Sequence, residues 1–543
     1  MKPRILMCNE ASFLSTGYAT YGREVLKRLY ASGRYEIAEF ASYAKKTDVR
    51  LNTIPWRVYC NLPDTEEEQQ AFNSQPINQF GAWRFEQVCL DFKPHCVFNI
   101  LDWWMMSFQE ESPFKKCFKW AIMPTVDSVP QHEQWLATYA NADAVFTYQD
   151  WSYKVLEKQG GGNINLLGTA SPAADDCYFP VENKDEIKQQ LGIGNYKVIG
   201  TIMRNQRRKL FPDLFQAFRK FLDQSKKKDV LLYCHTSYPD NGWDIPKILL
   251  DNGIASKVLF TYKCKSCQSA YPAFFSDAVS ICIQCGQPTA SPCNVQDGVS
   301  PEIMSKIINI FDLYVQPANS EGLGMPQLEA AMCGVPIMST NFSAMEDVVK
   351  KLKGYPIPVV GYQWEVETGC KRALPDIDWM ANKFEEFFDM PKAMQLAKGK
   401  QTRNLAEKYS SWDQTAETWA SFFNTIDTTQ AEQLWKLPPD IAQPHADIDS
   451  SRMSNREYVR FLITKVLCDT SKLGSYLELR MTRDLNCQQT EIGRTNLSYM
   501  NDDSMMAIKS DFIPFTRENA YNAMVNSRDK INQWEQARHA SNA

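Results

Sequence analysis

The sequence predicts an α/β protein of two wound domains with parallel sheets, followed by a mostly helical C-terminal extension. Three observations carry that reading. Short apolar runs alternate with amphipathic stretches over residues 1–170, and again from Tyr196 onward, as βαβ units require. A chain of 543 residues is too long for one hydrophobic core, so two large domains with additions are expected. Beyond about residue 428 the pattern changes, and Pro438-Pro439 with the polar run to Ser450 reads as a linker.

The elements follow in order. Arg4-Ile5-Leu6-Met7-Cys8 reads as the first strand, Ser15-Thr16-Gly17-Tyr18 as a turn, and Tyr21 to Tyr30 as a helix. Further strands are expected at 95–101, 120–124 and 144–148. Polar Asp175–Pro180 reads as the inter-domain linker. The second unit has strands expected at 196–202, 230–233, 258–261, 313–316 and 335–339, with a helix at 301–309. In the extension, Ser454-Asn455-Arg456-Glu457 is a capping box opening a helix toward Cys468, and another helix is expected from Thr516 through Trp534. The domains are placed at 1–178 and 179–428, an insertion at 261–293, and the extension at 429–543.

Glu321-Gly322-Leu323-Gly324-Met325-Pro326-Gln327-Leu328-Glu329 sets two carboxylates eight positions apart around a glycine-bearing loop. The strand 313–316 precedes it, and Pro326 opens a helix that Gly334 closes. Gly322 and Gly324 permit close backbone approach, and the helix N-terminus offers amides to an anion. Carboxylates flanking such a nest suit a ligand with both hydroxyls and phosphates, and a nucleotide sugar is that ligand. A second signal is Arg204-Asn205-Gln206-Arg207-Arg208-Lys209, a basic turn past a strand end, suited to a diphosphate leaving group.

Net charge is −5, spread as +17/−19 over 1–170, +28/−30 over 171–430 and +14/−15 over 431–543. No segment is a bulk polycation, which argues against strong non-specific nucleic-acid binding. The exception is local: nine basic residues from Arg204 to Lys228 face only Asp213 and Asp223. No apolar run nears bilayer length, and the N-terminus lacks a signal peptide's apolar stretch. With cysteines scattered singly in apolar surroundings, a cytoplasmic location is expected.

Residues 1–428 resemble a retaining glycosyltransferase of the GT-B type, with two facing Rossmann-like domains, close to family 4. The resemblance rests on ordered segments: Thr16-Gly17-Tyr18, then 142–147 with Trp151-Ser152, Asp176–Pro180, Arg204 with Lys209, the Glu321–Glu329 motif through Pro336, and Tyr409-Ser410-Ser411-Trp412 leading into a terminal crossing helix. It implies a nucleotide-diphosphate sugar donor, with a UDP-sugar expected. The donor-binding set would be Gly17, Arg204, Lys209, Glu321, Gly322, Leu323, Gly324 and Glu329. Glu321 would face the sugar, Glu329 the ribose, and Arg204 and Lys209 the diphosphate. Many family members place a His in the first domain near the reacting centre; here Met123-Pro124-Thr125-Val126-Asp127-Ser128 has none. Asp127 or Thr125 takes that place, or Asp127 caps the following helix. The catalytic candidates are Glu321, Arg204, Lys209 and Asp127. Asp376-Ile377-Asp378 has the spelling of an acidic metal motif, but its exposed-turn context favours chance.

Cys264, Cys267, Cys282 and Cys285 form two Cys-x2-Cys knuckles fourteen residues apart, with Gly286 after the second. Four thiolates complete a closed structural Zn2+ site, so a zinc ribbon is expected. Cys293 is a spare thiol. The ribbon either overhangs the cleft and helps choose an acceptor or is a stapled surface loop.

The acceptor is a glycan, a glycolipid headgroup, a small molecule, or a hydroxymethylated base in DNA. Residues 9–18 resemble glycosyltransferases of tailed phages, some of which modify DNA. Two other readings stand beside the transferase: a retired fold reused for binding, and a sugar-nucleotide epimerase.

Overall fold

Seven parallel strands make the first sheet: β1 (Arg4–Glu10), β2 (Glu36–Ser42), β3 (Arg57–Cys60), β4 (Cys96–Asn99), β5 (Lys119–Ile122), β6 (Ala144–Thr147) and β7 (Leu166–Thr169), in the order β3-β2-β1-β4-β5-β6-β7. The computed structural model describes residues 1–436, apart from 111, 113, 226, 277–278 and 295–296, then 453–463 and the single positions Thr482, Leu485, Arg517, Ala520 and Tyr521. β1 and β4 are central because their side chains are apolar on both faces; Ile5, Leu6, Val97 and Phe98 have no exposed surface. β2 is not among the strands expected above, because Glu36 and Glu39 interrupt its apolar run. Glu39 is nonetheless buried, and its carboxylate accepts from the Ser12 amide at 2.6 Å and the Trp56 indole at 2.8 Å. The first helix begins at Gly17, four residues before the expected start, with the Thr16 hydroxyl accepting from the Ala19 amide.

The second sheet holds β8 (Lys197–Ile202), β9 (Val230–His235), β10 (Val258–Cys264), β11 (Ala270–Phe274), β12 (Ala290–Pro292), β13 (Leu313–Gln316), β14 (Ile337–Thr340) and β15 (Tyr355–Ile357). Its order is β11-β10-β9-β8-β13-β14-β15, with β12 also on β10. The β8, β9, β10, β13, β14 and β15 pairings are parallel, while β11 and β12 run antiparallel to β10. A separate hairpin, β16 (Val359–Glu365) with β17 (Cys370–Pro375), follows the sheet.

After helix Lys392–Tyr409 the chain returns to the first domain. Along helix Trp412–Phe423, the Trp419 indole donates to the Tyr21 hydroxyl at 3.0 Å, Arg28 pairs with Asp413 at 2.6 Å, and Arg34 with Glu417 at 2.7 Å. Helix Thr428–Lys436 continues on the same body: Glu432 meets Arg4 at 2.5 Å, and the buried Trp435 indole donates to the Pro94 carbonyl at 2.8 Å. Of the extension, the capping box at Ser454 and helix Asn455–Leu462 are described. The continuation toward Cys468 and the helix expected over 516–534 lie outside the described residues, save single positions. No helix among the described residues is long and apolar enough to cross a membrane.

Candidate active site

The carboxyl ends of the two sheets meet across a cleft. A Cβ built on Gly322 would lie 2.6 Å from Thr125 Cγ2, and one on Gly17 would lie 4.0 Å from Met325 Sδ. The glycine loop of the second sheet thus touches both N-domain segments that the sequence brought forward. Gly324 (φ +77°) is in the left-handed region and caps helix Met325–Met332 from its N-terminal side, with Pro326 in the first turn. A Cβ there would strike the amides of Gln316 and Gln327 at 2.6 Å. Gly334 (φ +72°) follows the helix, as its C-terminal stop requires. Leu323 is buried beneath the loop.

Glu321 is 5% exposed and lies between two cations. Arg208 Nη1 donates to its Oε2 at 2.7 Å, and Lys209 Nζ contacts its Oε1 directly. Gln316 Nε2 adds a bond at 3.1 Å, and the Glu321 amide donates to Ser343 Oγ at 3.0 Å. Burial works against the ionised carboxyl, but the Arg208 and Lys209 charges outweigh it and hold its pKa well below the ordinary value. Lys209 is pulled down, first by burial and then by the Arg208 charge.

Glu329 sits one turn into the helix, part-buried, beside Tyr178 and Asp175. Burial first, and then the Asp175 charge, push its carboxyl up to about 8. Arg204 stands at the cleft rim, its guanidinium bidentate on Asp240 at 2.8 and 3.0 Å. The structure therefore groups Lys209 with Glu321 and leaves Arg204 outside that contact. Arg208, which an Arg-x4-Lys count passes over, holds the other carboxylate oxygen of Glu321.

Asp127 does not cap the following helix. Helix Glu133–Asn141 is capped by His132, whose side chain accepts from the Gln134 amide. Asp127 instead takes a bond from Arg372 Nη1 at 2.8 Å. Asp102, absent from the sequence candidates, lies near Tyr18 and Thr125 in the same part of the cleft, and burial, then the Asp127 charge, raise its pKa. Tyr18 and Thr125 share a hydroxyl bond of 2.8 Å. The one signal for Asp102 was its position directly after the β4 run, where cleft-facing residues of wound sheets fall.

The four knuckle cysteines converge at the carboxyl end of β10, on the same edge of the second sheet as the cleft. Their sulfurs all lie within 4.8 Å of one another. Cys264 and Cys285 are 3.6 Å apart, and Cys267 and Cys282 are 3.7 Å apart. These gaps are far too long for disulfides. They match the edge of a tetrahedron of thiolates each about 2.3 Å from a metal, which is roughly 3.8 Å. Cys293 is buried and lies outside the cluster.

The two facing sheets, the cleft at their carboxyl ends and the returning C-terminal helix define a GT-B fold. The family Glycosyl transferases group 1 matches residues 292–365, the segment that carries both glutamates. Among solved structures the chain is similar to a sucrose-phosphate synthase from Thermosynechococcus elongatus (TM-score 0.56, 15% identity, 78% of this chain and 99% of that one). HepE from Anabaena, in complex with UDP and glucose, matches with a TM-score of 0.55 and 14% identity over 78% of this chain and 100% of that one. A glycosyltransferase from Rickettsia africae matches at 0.54 and 12% identity, over 78% and 98%. No curated protein sequence matches the chain at a significant level.

Proposed function

We propose that the protein is a retaining glycosyltransferase that moves a sugar from a nucleotide-diphosphate donor, a UDP-sugar, to an acceptor hydroxyl. The observation that carries the reading is the cationic pair Arg208 and Lys209 on Glu321, with Glu329 eight residues on, inside the segment that matches the family. HepE has been crystallised with UDP and with UDP-glucose, which favours uridine as the donor base.

The nucleotide lies on the second domain, its ribose hydroxyls on Glu329 and its diphosphate against Lys209 and Arg204 and the loop amides from Gly322 to Gly324. As the glycosidic bond breaks, these cations and amides stabilise the charge that gathers on the diphosphate. Arg208 is a third cation within reach. Gly17 lets the first-domain loop close over the phosphates, and Glu321 orients the sugar. With Asp127 engaged by Arg372, Asp102 and Thr125 are the groups that meet the acceptor hydroxyl. Closure of the two domains excludes water from the reacting centre.

The four cysteines hold a structural Zn2+, which ties β10, β11 and β12 together; a closed thiolate set leaves no open position for chemistry. Reduced thiols of this kind suit the cytoplasm. For the acceptor, a saccharide or small-molecule hydroxyl is preferred to a DNA base. Much of the basic run that favoured nucleic acid is internally neutralised: Arg204 by Asp240, Arg208 and Lys209 by Glu321, Arg219 by Asp223, Lys220 by Asp378 and Lys227 by Asp389.

Isothermal titration with UDP, GDP and ADP, on the protein and on Glu329→Ala and Lys209→Ala, tests the reading. UDP-selective binding that both variants lose supports it. Absence of binding by the folded protein overturns it in favour of a retired fold, and release of an altered sugar without acceptor would mark an epimerase.

A further inference from the structure

We propose that Arg372 is a positioning residue that fixes the Glu321 loop against the first domain, with the β16–β17 hairpin as the strap that carries it across the cleft. The kinetic part rests on the glycosyltransferase reading, while the structural part does not.

Four consecutive residues of β17 join the two bodies. The Cys370 thiol donates to the Pro130 carbonyl at 3.0 Å, and the Lys371 amide to the Val129 carbonyl at 2.8 Å, both in the first domain. The Ala373 amide donates to the Asn319 carbonyl at 3.0 Å, two residues before Glu321. Arg372 lies between them, 7% exposed, and one guanidinium nitrogen serves both sides: Nη1 donates to Asp127 at 2.8 Å and to Ser320 Oγ at 2.5 Å. Nη2 donates to Glu365 at 2.5 Å, which anchors the fork to the opposite strand of its own hairpin. A planar guanidinium holds three partners at fixed angles, which a point charge does not.

The arrangement makes the place of Ser320, and hence of Glu321, depend on where the first domain stands. It also makes Asp127 the first-domain anchor of the strap. Asp127 donates nothing and accepts from both Arg372 and Ser320, the latter at 3.3 Å. With Arg372 gone, the only remaining bond between Ser320 and Asp127 is that longer one.

Four variants test this: Asp127→Asn, Arg372→Met, their double, and Arg372→Lys. Each is measured by small-angle scattering, UDP titration and donor turnover with acceptor. Asp127→Asn is isosteric, so that variant alone still tests the strap if a change at Arg372 impairs folding. The strap predicts a larger radius of gyration for Asp127→Asn and for Arg372→Met, with no further increase in the double. It also predicts kcat lowered by about 10²-fold at unchanged UDP affinity, because a misplaced group costs that much in rate. Arg372→Lys recovers part of both. Unchanged radii in the single variants, additive effects in the double, or a loss confined to UDP affinity would overturn the proposal. Should the unaltered protein lack turnover, the transferase reading falls by itself, and the scattering cycle alone decides on the strap.

Discussion

The Arg208 guanidinium lies 2.7 Å from the Glu321 carboxylate, so the first glutamate of the loop is neutralised by protein cations before any donor arrives. With Lys209 on the other oxygen, an incoming diphosphate competes with Glu321 for two cations that are already in place.

Glu321→Gln removes the charge that compensates the buried Lys209. Breaking a buried pair from one side costs roughly 3–5 kcal/mol, so the variant should melt well below the parent. Pyrophosphate or UDP supplies the missing negative charge. The expected result is a larger ligand-induced rise in melting temperature for the variant than for the parent, read by differential scanning fluorimetry.

Glu329 gives a pH signature. Its folded carboxyl is raised from 4.5 to about 8 by burial and then by Asp175. The native state therefore holds this proton more tightly than the unfolded chain. The stability it contributes is complete below about 4.5 and is lost as pH rises toward 8. Glu329→Gln has no such loss, so its melting temperature should gain on the parent's between pH 5 and pH 8. Ribose hydroxyls donating to the carboxylate favour its ionised form. UDP binding near pH 7 should then release a proton, seen as a dependence of titration heat on buffer ionisation enthalpy.

Metal analysis should find one zinc per chain, bound by the four knuckle thiolates. Cys282→Ser should lose the metal and lower the melting temperature, since β11 and β12 are held by β10 and the cluster. UDP affinity should persist, because no donor-binding residue proposed above lies in the insert. Loss of nucleotide binding together with the metal would instead make the ribbon part of the donor site.

Tyr21→Phe deletes the acceptor of the Trp419 indole inside the returning helix. A buried donor left without a partner costs about 1–3 kcal/mol. Chemical denaturation should show that loss in the transition of the first domain.

How far the chain announced itself depended on distance along it. The Glu321–Glu329 loop is punctuated locally, by Gly324, Pro326 and Gly334, and the four cysteines by short spacings, so both were legible. The basic turn was half legible. A 3-10 turn over Arg207–Lys209 and a left-handed Leu210 (φ +47°) decide which side chains enter the cleft, and charge counts hold no trace of them. Asp102 had only its place after a strand to mark it, and Arg372 was not legible, since its meaning lies in apposition of the two domains. Arg372 and Asp127 are 245 residues apart. β2 was hidden by a glutamate whose partners, Ser12 and Trp56, come from separate loops.

The returning helices also bear on how the chain is made. The last strand of the first sheet ends at Thr169, yet the helix Gly17–Ala31 is not covered until Trp412–Phe423 has been synthesised. About 250 residues separate those points, and at about 5–20 residues per second the ribosome needs some tens of seconds to cross them. Through that interval Tyr21 and Phe98 await the indole of Trp419, so the first half of the protein completes its folding only after the second has been translated.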